Sequence, residues 1–120
     1  MQNNKSENLI VQLSFDFALR TIAYCEALDL QKKYVVSRQL LRSGTSIGAN
    51  VREAQNAESK ADFIHKMKIA AKEADETEYW LLLCQNSKGY PNCEDLIALC
   101  QSLTNVLSKI IASSKRISSG

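Results

Sequence analysis

The 120-residue chain has one proline, four glycines and one histidine, and only 7% of its positions are aromatic. So few helix breakers, together with many Leu, Ile, Ala, Lys and Glu, point to an all-α protein. A lone histidine excludes the di-metal sites of helical bundles, which take a Glu-x-x-His pair from each of two helices. Glycine-rich phosphate loops, nucleophile elbows and Cys-His pairs with supporting context are also missing. The chain is therefore expected not to be an enzyme and to need no metal or other cofactor. Cys25, Cys84, Cys93 and Cys100 lack paired metal-ligand spacing, and the polar start MQNNKSEN reads as no targeting peptide. The cysteines are expected to be reduced, mostly buried small hydrophobes of a cytoplasmic protein. No apolar run approaches the roughly 20 residues of a membrane span, so no membrane partner is expected.

What is present is helical periodicity over one domain large enough to bury a core without staples. Helices are predicted over about 6–28, 34–55, 60–87 and 93–117, the first capped by Ser6 and the third by Ser59 with Asp62 in its first turn. The first has a seam of Ile10, Leu13, Phe17, Thr21, Tyr24 and Leu28, with a second apolar row, Phe15, Leu19 and Ile22, for another neighbour or another subunit. The third places Phe63, Met67, Ala70, Ala74, Thr77 and Leu81 inward. The fourth does so with Leu96, Leu99, Cys100, Leu103, Val106, Leu107, Ile110, Ile111 and Ile117. The clearest turn, NSKGYPN at 86–92, holds the proline, and the tail SKRISSG is expected to fray. Short connections make the architecture an up-down-up-down antiparallel four-helix bundle.

The second helix carries the densest information, in RSGTSIGANVRE at 42–53. Val36, Leu40, Gly44, Ile47, Val51 and Ala54 fall on its core face, so Gly44 points inward. Each interior glycine costs roughly 0.5–1 kcal/mol, and the run of Ser43, Gly44, Ser46, Gly48 and Ala49 is read as a tight helix crossing. Ser46 and Asn50 lie on the flank between core and surface, where a buried polar group needs a partner. Opposite the core run Arg38, Arg42, Thr45, Ala49 and Arg52, a basic stripe without an acid. Residues 32–72 hold nine Lys or Arg against three acids, whereas residues 73–95 hold one Lys against six acids. That polarity suits either an anionic partner or head-to-tail association of subunits. Pairs such as Lys68 or Lys72 with Glu76, solvating one helix face, would also account for part of it.

Arg38, Arg42, Arg52, Lys60, Lys66, Lys68 and Lys72 come from consecutive helices and are the candidate nucleic-acid-binding residues, reading phosphates and shape through charge. His65 lies near Lys68 and Lys72 and is read as an exposed bystander. Ile69, Trp80 and Leu83, with Glu73 and Glu76 among them, form a mixed surface expected at an oligomer interface. The alternative use of the stripe is assembly, with its arginines paired to acids of a neighbouring subunit in a protein-interaction scaffold.

The strings LLRSGTSIGANVREAQ and DFIHKMKIAAKEADETEYWLLL resemble the small four-helix proteins named for 23S ribosomal RNA intervening sequences, and the likeness runs through essentially the whole chain. Arg42, Ser43, Ser46, Ile47, Ala49, Asn50, Val51 and Glu53 carry it, as the pattern R-S-x-x-S-I-x-A-N-I-x-E. Val51 stands for the usual isoleucine, and Ala54 where glycine commonly follows. This family is similar to the accessory variability protein of diversity-generating retroelements, a pentameric barrel that binds nucleic acid and a reverse transcriptase. The resemblance implies a homo-oligomer, a pentamer, with RNA or DNA or a protein as partner.

Overall fold

The structure is a computed structural model that describes the backbone of residues 5–119 and the side chains of residues 9–116. It consists of α1 (Lys5–Leu30), α2 (Tyr34–Gln55), α3 (Lys60–Asn86) and α4 (Glu94–Ser119), packed in a rod of 51 × 21 × 20 Å. Each helix packs along two neighbours, in the cycle α1–α2–α3–α4, and the backbones of diagonal pairs do not approach closely among the described residues. Consecutive helices run in opposite directions. Gly48 lies over Ser14 and Gly44 over Thr21, whereas Ser37 bonds to Cys25. Lys66 reaches Glu53 while Thr77 reaches Ser43, and Cys100 faces Ala74 while Cys93 faces Leu81.

The apolar seams close into one core, with Phe17, Leu28, Leu40, Ile47, Phe63, Met67, Leu81, Leu103 and Leu107 almost free of solvent contact. Polar residues enter it only with partners. Thr21 Oγ1 donates to the Phe17 carbonyl at 2.9 Å, Ser37 Oγ to the Cys25 carbonyl at 3.2 Å, and no buried side-chain polar atom is left unpaired among the described residues. All four cysteines are free and buried. Burial pushes the Cys25 and Cys84 thiols up to about 11 and Cys100 to about 12, and it raises the Tyr24 phenol, which bonds to the Pro91 carbonyl at 2.6 Å.

The helix ends differ from expectation by a residue or two. α1 continues to Leu30 because the amides of Gln31 and Lys33 both bond to the Leu28 carbonyl, with Lys32 in the left-handed region at φ 62°. Ser59 Oγ accepts the Asp62 amide at 3.0 Å, and the Asp62 carboxylate takes the Glu58 amide at 3.3 Å, a reciprocal cap one residue out of the usual register. The cap expected from Ser6 lies outside the described side chains. Instead of fraying, the tail stays helical to Ser119.

One expectation fails outright. The segment Glu94–Arg116 of α4 is long and apolar enough, by length and composition, to cross a membrane. Its polarity is nevertheless periodic, with Leu96, Cys100, Leu103, Leu107 and Ile110 inward and Asp95, Gln101, Ser102, Asn105 and Lys109 outward. That distribution is the pattern of a bundle helix packed on one side.

Candidate nucleic-acid interface

The α1/α2 crossing explains the small residues of α2. A β-carbon added at Gly44 would lie 2.7 Å from Thr21 Cγ2, and one at Gly48 would lie 3.3 Å from the Ser14 carbonyl oxygen. A side chain at 44 would collide with that of Thr21, so the helix-weakening glycine is matched to its neighbour. Ile47 is fully buried. Ser46 and Asn50 satisfy themselves on their own helix, Ser46 Oγ donating to the Arg42 carbonyl at 2.6 Å and Asn50 Nδ2 to the Ser46 carbonyl at 2.8 Å. Ser43 faces α3, where Thr77 Oγ1 lies 2.9 Å from its Oγ and 2.7 Å from the Glu73 carbonyl. Ala49 is exposed beside the α1/α2 groove.

The seven candidate cations do not form a single open surface. Arg42 pairs with Glu73 at 3.4 Å and with Glu76, which also accepts Trp80 Nε1–H at 2.9 Å. Lys66 pairs with Glu53 at 2.9 Å, a hydrogen bond that raises the lysine pKa above its ordinary value. Both cations therefore lie on the α2/α3 seam already matched by acids of the same chain. The acids that solvation would have given to Lys68 and Lys72 are elsewhere: Glu76 binds Arg42 and Trp80. On one side of that seam Arg52 borders the α1/α2 groove, with Arg38 exposed about four turns earlier. On the other, Lys68 and Lys72 are exposed on α3, and Lys60 is half-buried in its first turn. Lys68 lies near Lys115 of α4, and the interaction between the two lysines lowers the Lys115 pKa. Lys115 went unnoticed because its sequence neighbours read as a polar tail. His65 is exposed, as expected. Among the described residues no group of His, Cys, Asp or Glu is arranged to hold a metal.

The expected interface residues divide as well. Glu73 and Glu76 belong to the intramolecular network with Arg42, and Trp80 packs against the core. Ile69 is half-buried. Leu83 is exposed, and it lies beside Tyr79 and Leu82, two exposed residues that the core-seam reading passed over. On α1, Phe15, Leu19 and Ile22 are exposed as a row, extended by Val11.

With this geometry in place, the relatives of the chain can be compared. The model of the 23S rRNA-intervening sequence protein family matches residues 6–112. The chain belongs to that family. The family's four-helix form also appears in a solved relative, a Bacteroides thetaiotaomicron protein with unknown function from the S23 ribosomal protein family. It is 43% identical, superposes with a TM-score of 0.83, and the match covers 89% of this chain and 98% of the other. No curated protein matches. The fold of this chain is thus the family's, and within α2 Ser43, Gly44, Ile47 and Asn50 act in packing and helix satisfaction.

Proposed function

We propose that this protein is a non-enzymatic, cytoplasmic homo-oligomer, a pentameric ring by resemblance, that binds structured RNA or DNA through its phosphates. The observation that carries the reading is the exposure of Lys68 and Lys72 one turn apart on the outer side of α3, with Lys115 of α4 near Lys68. Cations gathered on one exposed surface favour an anionic partner. Arg38, Arg52 and Lys60 extend the reading over the neighbouring surfaces, while Arg42 and Lys66 leave it because acids of the chain hold them. The family name, taken from ribosomal RNA, and the ribosomal-protein family of the solved relative support an RNA partner. Few exposed aromatics accompany these cations, so recognition reads backbone and shape more than sequence. In a ring, repetition of a modest site gives avidity without new contacts.

Titration of labelled structured RNA and duplex DNA at two salt concentrations tests the reading. Binding is expected to fall steeply with salt, and Lys68→Glu/Lys72→Glu is expected to flatten the slope of log K against log salt by about 1.5. An assembled oligomer that binds neither nucleic acid at low salt would end this proposal. It would leave the second reading, a protein-interaction scaffold or an accessory subunit of an enzyme such as a reverse transcriptase. The exposed apolar rows on α1 and α3 favour that reading.

A further inference from the structure

His65, Lys68, Lys72, Asp75, Tyr79 and Leu82 follow one another along α3 at alternating three- and four-residue steps, and every one of them is exposed. That spacing keeps them on one outer stripe of the helix. The stripe changes character along its length. Its first half holds Lys68 and Lys72, the cations of the proposed phosphate site, with Lys115 of α4 near Lys68. Its second half holds Tyr79, 58% exposed, with Leu82 and Leu83 exposed one turn further on. Lys72 and Tyr79 are seven residues apart, so about 10 Å of helix separates them, a gap that the flexible stem of the lysine shortens.

The tyrosine ring is held in place before any ligand arrives. It stands edge-on to Trp80, with ring centroids 5.6 Å apart and planes inclined by 63°. Trp80 is itself fixed, because its ring packs on the core and its indole N–H donates to Glu76, which also binds Arg42. A ring placed in advance lowers the ordering cost of contact. The neighbouring acids define what it meets. Asp75 is exposed one turn before Tyr79 on the same stripe, and Glu78, beside the tyrosine, accepts Gln101 Nε2–H of α4 at 2.8 Å. Negative charge at this height repels a phosphate, whereas an uncharged base meets no such barrier.

We infer that Tyr79 is a stacking platform for an unpaired base whose neighbouring phosphates lie on Lys68 and Lys72, so that the ligand is a nucleic acid with a single-stranded stretch. The inference rests on the phosphate reading above and adds the class of nucleic acid. A duplex keeps its bases stacked inside and brings only backbone to Tyr79, where Asp75 opposes it; a single strand brings a π-face, and Leu82 and Leu83 give that base an apolar surround. Stacking of this kind tolerates any base, so a preference for unpaired strand arises without a preference for sequence.

The test uses a labelled RNA hairpin made without a tail, with an unpaired oligouridine tail, and with a tail of equal length whose positions are abasic. The two tails carry the same phosphates and differ only in their bases. The full chain is expected to bind the oligouridine form more tightly than the abasic form by roughly 5- to 150-fold, the worth of one stacked base. Tyr79→Ala is expected to erase that difference and Tyr79→Phe to keep it, with helicity, solution mass and the slope of log K against log salt unchanged, since no phosphate contact is lost. Equal affinity for the two tails, or a Tyr79→Ala protein that still distinguishes them, would overturn the inference and leave phosphate binding through Lys68 and Lys72 standing. A fall in the solution mass of Tyr79→Ala would also overturn it, and would assign Tyr79, Leu82 and Leu83 to a protein contact. If no form of the hairpin binds at low salt, the phosphate reading fails and this inference with it.

Discussion

Gly44→Ala sets two effects of opposite sign against each other, and the structure decides between them. Alanine in a helix interior is favoured over glycine by about 1 kcal/mol, so on propensity alone the variant should gain stability. Its β-carbon, however, would sit 2.7 Å from Thr21 Cγ2 and 3.2 Å from Thr21 Oγ1. The threonine cannot swing away without cost, because its hydroxyl is buried and bonded to the Phe17 carbonyl at 2.9 Å. Overpacking of this kind costs about 1–3 kcal/mol, and α1 and α2 must separate to relieve it. The expected net effect is a loss of about 1–2 kcal/mol, or roughly 4–8 °C in melting temperature for a chain of this length. Thr21→Ser keeps the hydroxyl and removes the clashing methyl; alone it should cost about 1 kcal/mol for the lost contact. In the double variant the new alanine methyl occupies the vacated space, and stability should return close to wild type, a coupling of about 2–3 kcal/mol in a double-mutant cycle. Gly48→Ala is the internal comparison, since its tightest contact is 3.3 Å and the propensity gain should leave it near neutral. Thermal and urea unfolding of the four variants measure all of this. A Gly44→Ala protein that is more stable than wild type would refute the close crossing and return both glycines to simple surface packing.

Other positions give shorter tests. Arg42→Gln breaks only exposed ion pairs with Glu73 and Glu76, so it should cost less than about 1 kcal/mol and leave the salt slope of nucleic-acid binding unchanged; a flattened slope would restore Arg42 to the interface. Thr77→Val removes the hydroxyl that lies 2.9 Å from Ser43 Oγ, and it should destabilise by about 1–2 kcal/mol in chemical unfolding, less in a Ser43→Ala background. The thiols of Cys25 and Cys84 stay protonated to about 11 when folded but release their protons near 9 when unfolded. Their favourable contribution is therefore complete below pH 9 and is lost as pH climbs to about 11. Melting temperature should fall across that window, and a flat profile from pH 8.5 to 11 would contradict the burial of the thiols. A thiol-reactive probe at pH 8 should modify the native chain slowly and all four cysteines after denaturation.

The parts of this molecule that were legible in its sequence are those set by one helix at a time. Leu40, Gly44, Ile47 and Val51 recur at helical spacing whatever α2 packs against, and Ser59 caps a helix with a residue three positions away, so periodicity and local chemistry suffice for both. The candidate site depends instead on what the next helix brings. Arg42 reads as an open cation along α2, where no acid shares its stripe. Glu73 and Glu76 neutralise it only because α3 returns antiparallel at that height. Glu53 does the same to Lys66, and Lys68 finds Lys115 some 47 positions away in sequence, beyond any local pattern. Trp80 illustrates the same limit from the apolar side. On the helical wheel it belongs to an outward row with Leu83, yet its indole N–H is tied to Glu76 and its ring packs on the core, so the exposed face of α3 turns to Tyr79, Leu82 and Leu83. A charge or ring near the edge of a helix face is thus assigned by interhelical register, and register is fixed here by the glycines at the α1/α2 crossing and the Ser43–Thr77 contact between α2 and α3. The small residues at these crossings therefore decide which cations the chain's own acids hold and which apolar residues stay exposed.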